Sequence, residues 1–199
     1  RKKMKTMKLM VIGVAAVTLV LAGAGFVSAA IDGSVHDVNG TSCAGCHAPH
    51  NTNTTVVPPL WGQATSAETF TPYSSTTMSV NPGAPDANSL VCLGCHDGNT
   101  VIAATSAVMG ASTANLGLDL TDSHPVGLTY ATNQAADATL KVSSSAGSKG
   151  GTLATDNLPA GQVSCLSCHD PHNHAVQVGG SAQFVIEPVG DLCNRCHAK

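Results

Sequence analysis

Eight cysteines carry the clearest chemical signal in this chain. They fall as four pairs, Cys43/Cys46, Cys92/Cys95, Cys165/Cys168 and Cys193/Cys196, and each second cysteine is followed at once by a histidine: His47, His96, His169 and His197. The segments read CAGCH, CLGCH, CLSCH and CNRCH, with no cysteine left over. At this spacing two thiols can bond two arms of one porphyrin while the imidazole of the next residue reaches the iron. C-x-x-C-H is the attachment pattern of a c-type haem, with His as the proximal ligand. A zinc ribbon also uses paired C-x-x-C, but has no reason to place His after every pair. A disulfide scaffold of a secreted chain leaves the four histidines unexplained, and a thioredoxin-like site needs one C-x-x-C on a βαβ unit. The sequence therefore predicts four covalent haem c groups held by all eight cysteines.

Four such irons need four further axial ligands if each is to hold two. Outside the motifs stand His36, His50, His124, His172 and His174, one more than the number required. Met78 and Met109 are alternatives of the kind used in mono-haem cytochromes, but both lie in Ser/Thr/Ala-rich stretches. Residues 43–51 (CAGCHAPHN) and 165–173 (CLSCHDPHN) match at six of nine positions, which makes His50 and His172 equivalent. A residue three places past its proximal His cannot reach the far face of its own haem, so each must serve another. His174 aligns with Thr52 and is the spare. His36 is expected to reach over the first or second haem, and His124 is held extended by Pro125. The predicted distal set is His36, His50, His124 and His172. For His50 the sharper expectation is ligation of an iron in a neighbouring subunit, with the third haem of its own chain as the alternative. Asp37, Asp97 and Asp170 adjoin these histidines; they could orient an imidazole, although a solvated surface acid is the plainer reading. With two His on every iron no position stays open for substrate, which predicts an electron carrier and not an enzyme.

The first thirty residues are expected to be removed. Arg1, Lys2, Lys3, Lys5 and Lys8 precede an apolar run from Leu9 to Val27 that closes on small residues to Ala30, the layout of a secretory signal peptide. An uncleaved anchor is the rival, since nineteen residues just span a bilayer. Residues 31–199 are then one tetrahaem domain with four basic residues against twelve acidic ones, a net charge of −8. That sign argues against a nucleic-acid partner, whose phosphates demand a basic surface. Aromatic residues make up only 3% and charged residues 11% of the chain, too little bulk for an ordinary core. Apolar porphyrin surface would supply what is missing, because burial stabilises in proportion to apolar area removed from water.

The elements that must position these groups are expected to be slight. Pro58, Pro59, Pro72, Pro82 and Pro85 argue against long regular structure over 52–90, and the tract 143–151 reads as a flexible loop. Short helices are predicted around the C-x-x-C-H turns and short strands within 99–109 and 126–132. The expected fold class is mostly irregular coil with a few short helices and small β-hairpins, organised around four covalent haems.

The C-x-x-C-H-x-P-H-N pattern at 43–51 and 165–173 resembles the doubled-CXXCH class of multihaem cytochromes. Together with the leader, GSVHD around His36 and SHPVG around His124, it is similar to the OmcE-like tetrahaem cytochromes. That resemblance implies a secreted or cell-surface protein whose subunits join end to end in a filament with a continuous haem chain. One haem is then completed by a His from the adjacent subunit. The implied partners are further copies of the chain, other multihaem cytochromes or extracellular electron acceptors, with no membrane contact after cleavage. A periplasmic or membrane-anchored tetrahaem shuttle to a terminal reductase is the alternative.

Overall fold

A computed structural model describes residues 31, 33–173, 177–178, 181–182 and 184–198. The expected leader and His174 lie outside the described residues. Regular structure is short throughout. The helices are α1 (Ala87–His96), α2 (Tyr130–Ala136), α3 (Leu153–Asp156) and α4 (Val189–Cys196). Strands β1 (Leu128–Thr129) and β2 (Gln162–Val163) pair antiparallel, as do β3 (Gln177–Val178) and β4 (Ser181–Ala182). Among the described residues no helix is long and apolar enough to cross a membrane.

Helix α1 shows how local chemistry places a motif. Asp86 stands extended at the helix start, and its carboxylate accepts the Asn88 amide at 3.1 Å and a hydrogen bond from the Ser89 hydroxyl. A capping carboxylate answers one of the open N–H groups of the first turn and suits the positive end of the helix dipole. Gly98, at φ 71°, ends the helix in the left-handed conformation that glycine adopts without penalty. Motif 92–96 is the last turn and a half of this helix. Asp86→Ala is expected to cost about 1 kcal/mol, read as a lower denaturant midpoint at unchanged slope.

Two apolar clusters hold the rest. Leu128, Tyr130, Leu153, Leu158 and Val163 form the larger, around the β1–β2 pair, with Met78, Leu140 and Cys196 packed against it. Phe70, Leu93 and Leu120 form the smaller, against one face of α1. Turn hydrogen bonds connect them to the motifs. The strap at 61–66 joins the first motif to α1: the Gly62 amide donates to the Cys46 carbonyl at 2.8 Å, and the Ser66 amide to the Leu90 carbonyl at 3.0 Å. Gly94 permits that approach, because a Cβ there would lie 2.3 Å from the Ala64 carbonyl oxygen.

The third and fourth motifs are tied through one buried relay. Asn157 donates to the Ser167 carbonyl at 3.1 Å and to the Ser148 hydroxyl at 2.7 Å. The Ser148 hydroxyl donates to Glu187, whose carboxylate takes a forked hydrogen bond from Arg195 at 2.7–3.0 Å. The Arg195 guanidinium holds the Glu187 carboxyl below its usual pKa against the opposing effect of burial. A depressed carboxyl pKa adds stability above the unfolded value, lost as pH falls through the folded one. Glu187→Gln is therefore expected to cost about 1–3 kcal/mol near neutral pH. The gap to wild type should shrink between pH 5 and pH 3 (about the carboxylate range) in denaturant melts.

These features correct the expected fold class. Among the described residues the organising elements are two apolar side-chain clusters and a lattice of turn hydrogen bonds, and nothing marks a plan built around four haems. The physical reason is that apolar packing is achieved by the chain itself: Leu153 is fully buried and Leu93 is 1% exposed, so small aliphatic side chains do what scarce aromatics cannot.

Candidate functional site

The structure brings histidines together in pairs. His47 lies with its ring centre 6.2 Å from that of His172, the planes within 13° of parallel. His36 lies 6.1 Å from His96, the planes at 89°. Each pair joins a histidine that directly follows a C-x-x-C to one from a distant part of the chain.

The motif histidines are oriented by their backbone surroundings. His47 Nδ1 is 2.7 Å from the Pro59 carbonyl oxygen, and His96 Nδ1 is 2.7 Å from that of Ala114. A hydrogen bond at Nδ1 fixes the tautomer that leaves Nε2 bare, the usual arrangement of a metal-binding imidazole. On the opposite side of the first pair, His172 Nδ1 lies 3.4 Å from Asp170. That carboxylate also receives the His172 amide and Lys149.

His36 is the partner with the most unusual environment. It packs on buried Phe184 at 4.3 Å between ring centres. Its Nδ1 is buried with no hydrogen-bond partner among the described residues. Burial, reinforced by His96, His169 and His172 nearby, lowers its pKa to about 4, so the ring is neutral at physiological pH. Leaving a buried ring nitrogen unsatisfied costs roughly 1–3 kcal/mol, a penalty that a hydrogen bond to a bound group would offset.

The eight cysteines are free thiols. Burial pushes the Cys95 and Cys168 thiols up to about 11. At Cys95 the neighbouring Cys46 and Asp97 add to the effect of burial. Thiols so protonated are slow nucleophiles.

The remaining predicted residues stand outside the two ring pairs. His50 and His169 are exposed, and an isolated β-bridge joins His169 to Val185. His124, also exposed, has Nδ1 3.1 Å from the Pro125 carbonyl oxygen. His197 joins Leu140 in a second such bridge, and Met78 packs on the larger apolar cluster. Of the three acids beside the histidines, Asp170 does meet an imidazole. Asp37 instead accepts the Gly33 and Ser42 amides, and buried Asp97 accepts from Ser66 and Thr100.

The expected haem centres are corrected here. Among the described residues no group of three or more His, Cys, Asp or Glu side chains gathers where a metal ion could be held. The set of four covalent c-type haems, electron transport through four bis-histidine irons, and the iron-bearing extracellular filament are not carried forward. The physical reason is dispersal: the described ring contacts of the histidines come in twos, from segments far apart in sequence. The resemblance to the OmcE-like cytochromes falls with them. No protein family model matches the chain, and no curated protein does.

Proposed function

We propose that the chain is a binding protein whose two imidazole pairs, His36/His96 and His47/His172, hold a small polar ligand by hydrogen bonds to their ring nitrogens. The single observation that carries this reading is the buried His36 Nδ1, which has no hydrogen-bond partner among the described residues although its ring lies 6.1 Å from that of His96. A neutral imidazole offers one donor and one acceptor, and a ligand group bonded to that nitrogen would satisfy it.

His47 and His96 have Nδ1 tied to backbone carbonyls, so their Nε2 atoms are the acceptors that a ligand hydroxyl or amide meets. The role read from these pairs is binding. The leader-like pattern of residues 1–30 supports export.

The test uses the full chain as isolated from cells and compares its mass under native and denaturing conditions, together with the nitrogen resonances of its histidine rings. The expected result is a non-covalent small molecule present in the native mass only, with less of it retained by His96→Ala and by His47→Ala. A native mass equal to that of the chain alone overturns the proposal.

A further inference from the structure

A cleft of about 350 Å³ opens at the start of α1, with Thr54, Val57, Asp86, Asn88, Ala160 and Gln162 on its walls, and no histidine lines it. Three segments distant in sequence meet there, and each is held in place. The Val57 amide donates to Asn88 Oδ1 at 2.8 Å, which ties the 54–57 segment to the helix. Asp86 caps α1 through the Asn88 amide at 3.1 Å and the Ser89 hydroxyl. Gln162 is on β2, in register with Thr129 of β1. Asn88 itself is only 4% exposed. With its oxygen taken by Val57, the carboxamide leaves Nδ2 as the free end, and that donor has no hydrogen-bond partner among the described residues. A buried donor without a partner is costly, so an acceptor placed in the cleft offsets a penalty that the fold already carries.

We infer that this cleft binds a neutral polyhydroxy compound, a single saccharide unit, with Asn88 as its central contact. The volume stands at the small end of ligand clefts, which run from about 300 to 1,000 Å³. A sugar hydroxyl donates and accepts at once, and the walls offer both kinds of group. The cap uses each Asp86 oxygen once, and a carboxylate oxygen has a second lone pair. Asp86 can therefore accept from one hydroxyl while Asn88 Nδ2 donates to its neighbour. The Gln162 carboxamide adds a further donor and acceptor. Val57, 55% exposed, and Ala160 present apolar surface to the C–H face of the sugar ring. An anion is disfavoured by the Asp86 carboxylate, and a cation would leave the Asn88 donor unanswered. The site is independent of the imidazole pairs and stands or falls without them.

The experiment titrates the full chain, labelled with nitrogen-15, with methyl glucoside, methyl galactoside and N-acetylglucosamine, and separately with inorganic phosphate and methylammonium. Side-chain amide and histidine-ring resonances are followed by nuclear magnetic resonance. The expected result is a saturable shift of the Asn88 Nδ2 and Gln162 Nε2 signals with at least one sugar and with neither ion. The histidine rings should stay in place, which separates this site from the imidazole pairs. Asn88→Asp keeps an oxygen for the Val57 amide and removes the donor, and a carboxylate is tolerated at a helix N-terminus. It should retain the wild-type fold and bind about tenfold more weakly, the scale of one lost hydrogen bond. Gln162→Ala, at a part-exposed strand position, should also weaken binding and serves as the second variant. No saturable shift with any of the three sugars, shifts confined to the histidine rings, shifts produced by an ion instead, or undiminished binding in both variants overturns the inference.

Discussion

Leu153→Ala is expected to lower stability by about 2–5 kcal/mol. Leu153 is fully buried in the larger apolar cluster, against Leu128, Tyr130, Leu158 and Val163. Its backbone is constrained on both sides: its amide donates to the Ser145 carbonyl at 2.7 Å, and the Thr152/Thr155 capping box begins α3 at that point. With neighbours held by β1–β2 pairing and by those hydrogen bonds, the site cannot collapse around the smaller side chain. The cavity penalty then adds to the lost transfer energy. The cluster also carries the fourth motif, because the buried Tyr130 donates its hydroxyl to the Lys141 carbonyl at 2.7 Å and lies 3.4 Å from that of Cys196. Loss of Leu153 should therefore raise the alkylation rate of Cys196 as well as lower the thermal midpoint. A Leu153→Ala chain with a wild-type melt would show that this cluster is not the core. Leu153→Met, near in volume, should cost less than about 1.5 kcal/mol.

The contrast between what the residues announced and what they left hidden has a physical basis. Four C-x-x-C-H segments are local patterns, readable from adjacent letters. The breaks that Pro58, Pro59, Pro72, Pro82 and Pro85 impose are equally local: of the span 52–90 expected to lack long regular structure, 52–86 is irregular and helix α1 begins at Ala87. Pairing is not local. His36 meets His96, and His172 meets His47, because straps and turns bring distant segments together through single hydrogen bonds that no periodicity records. The strand expected within 99–109 is only the bridge Ile102↔Ala107. There the Thr105 and Ser106 amides both turn back on the Ile102 carbonyl, and Ser106 adopts φ 55°. The strand expected within 126–132 stops after Thr129, since Tyr130 opens α2 and buries its ring. Low aromatic content suggested a chain without a core of its own. Compact aliphatic contacts at Leu93, Leu128 and Leu153 fill that role, and composition alone does not say where such residues meet. The contact of α1 with the third motif, where the Cys165 amide donates to the Ser89 hydroxyl at 3.2 Å, was hidden for the same reason: within each motif the spacing is informative, and between motifs it is silent.

His36 gives the sharpest separation between a packing role and a ligand role. Its ring lies on Phe184 at 4.3 Å and opposite His96 at 6.1 Å, so truncation to Ala would remove apolar contact and nitrogen together. His36→Phe keeps a ring for packing and removes both nitrogens. Under the binding reading, His36→Phe should be no less stable than wild type, because it keeps a ring on Phe184 and removes a buried nitrogen whose lack of a partner costs roughly 1–3 kcal/mol. It should nevertheless lose the ligand of the His96 site while the His47/His172 site keeps its own. His36→Gln, which keeps hydrogen-bonding atoms without the ring, should retain part of the binding. A structural histidine behaves otherwise: His36→Phe would then match wild type in native mass. The expected change is large because the unpartnered ring nitrogen is the group removed. The neutral state of His36, with its pKa lowered to about 4 chiefly by burial, means that no proton must leave the ring before it binds at neutral pH.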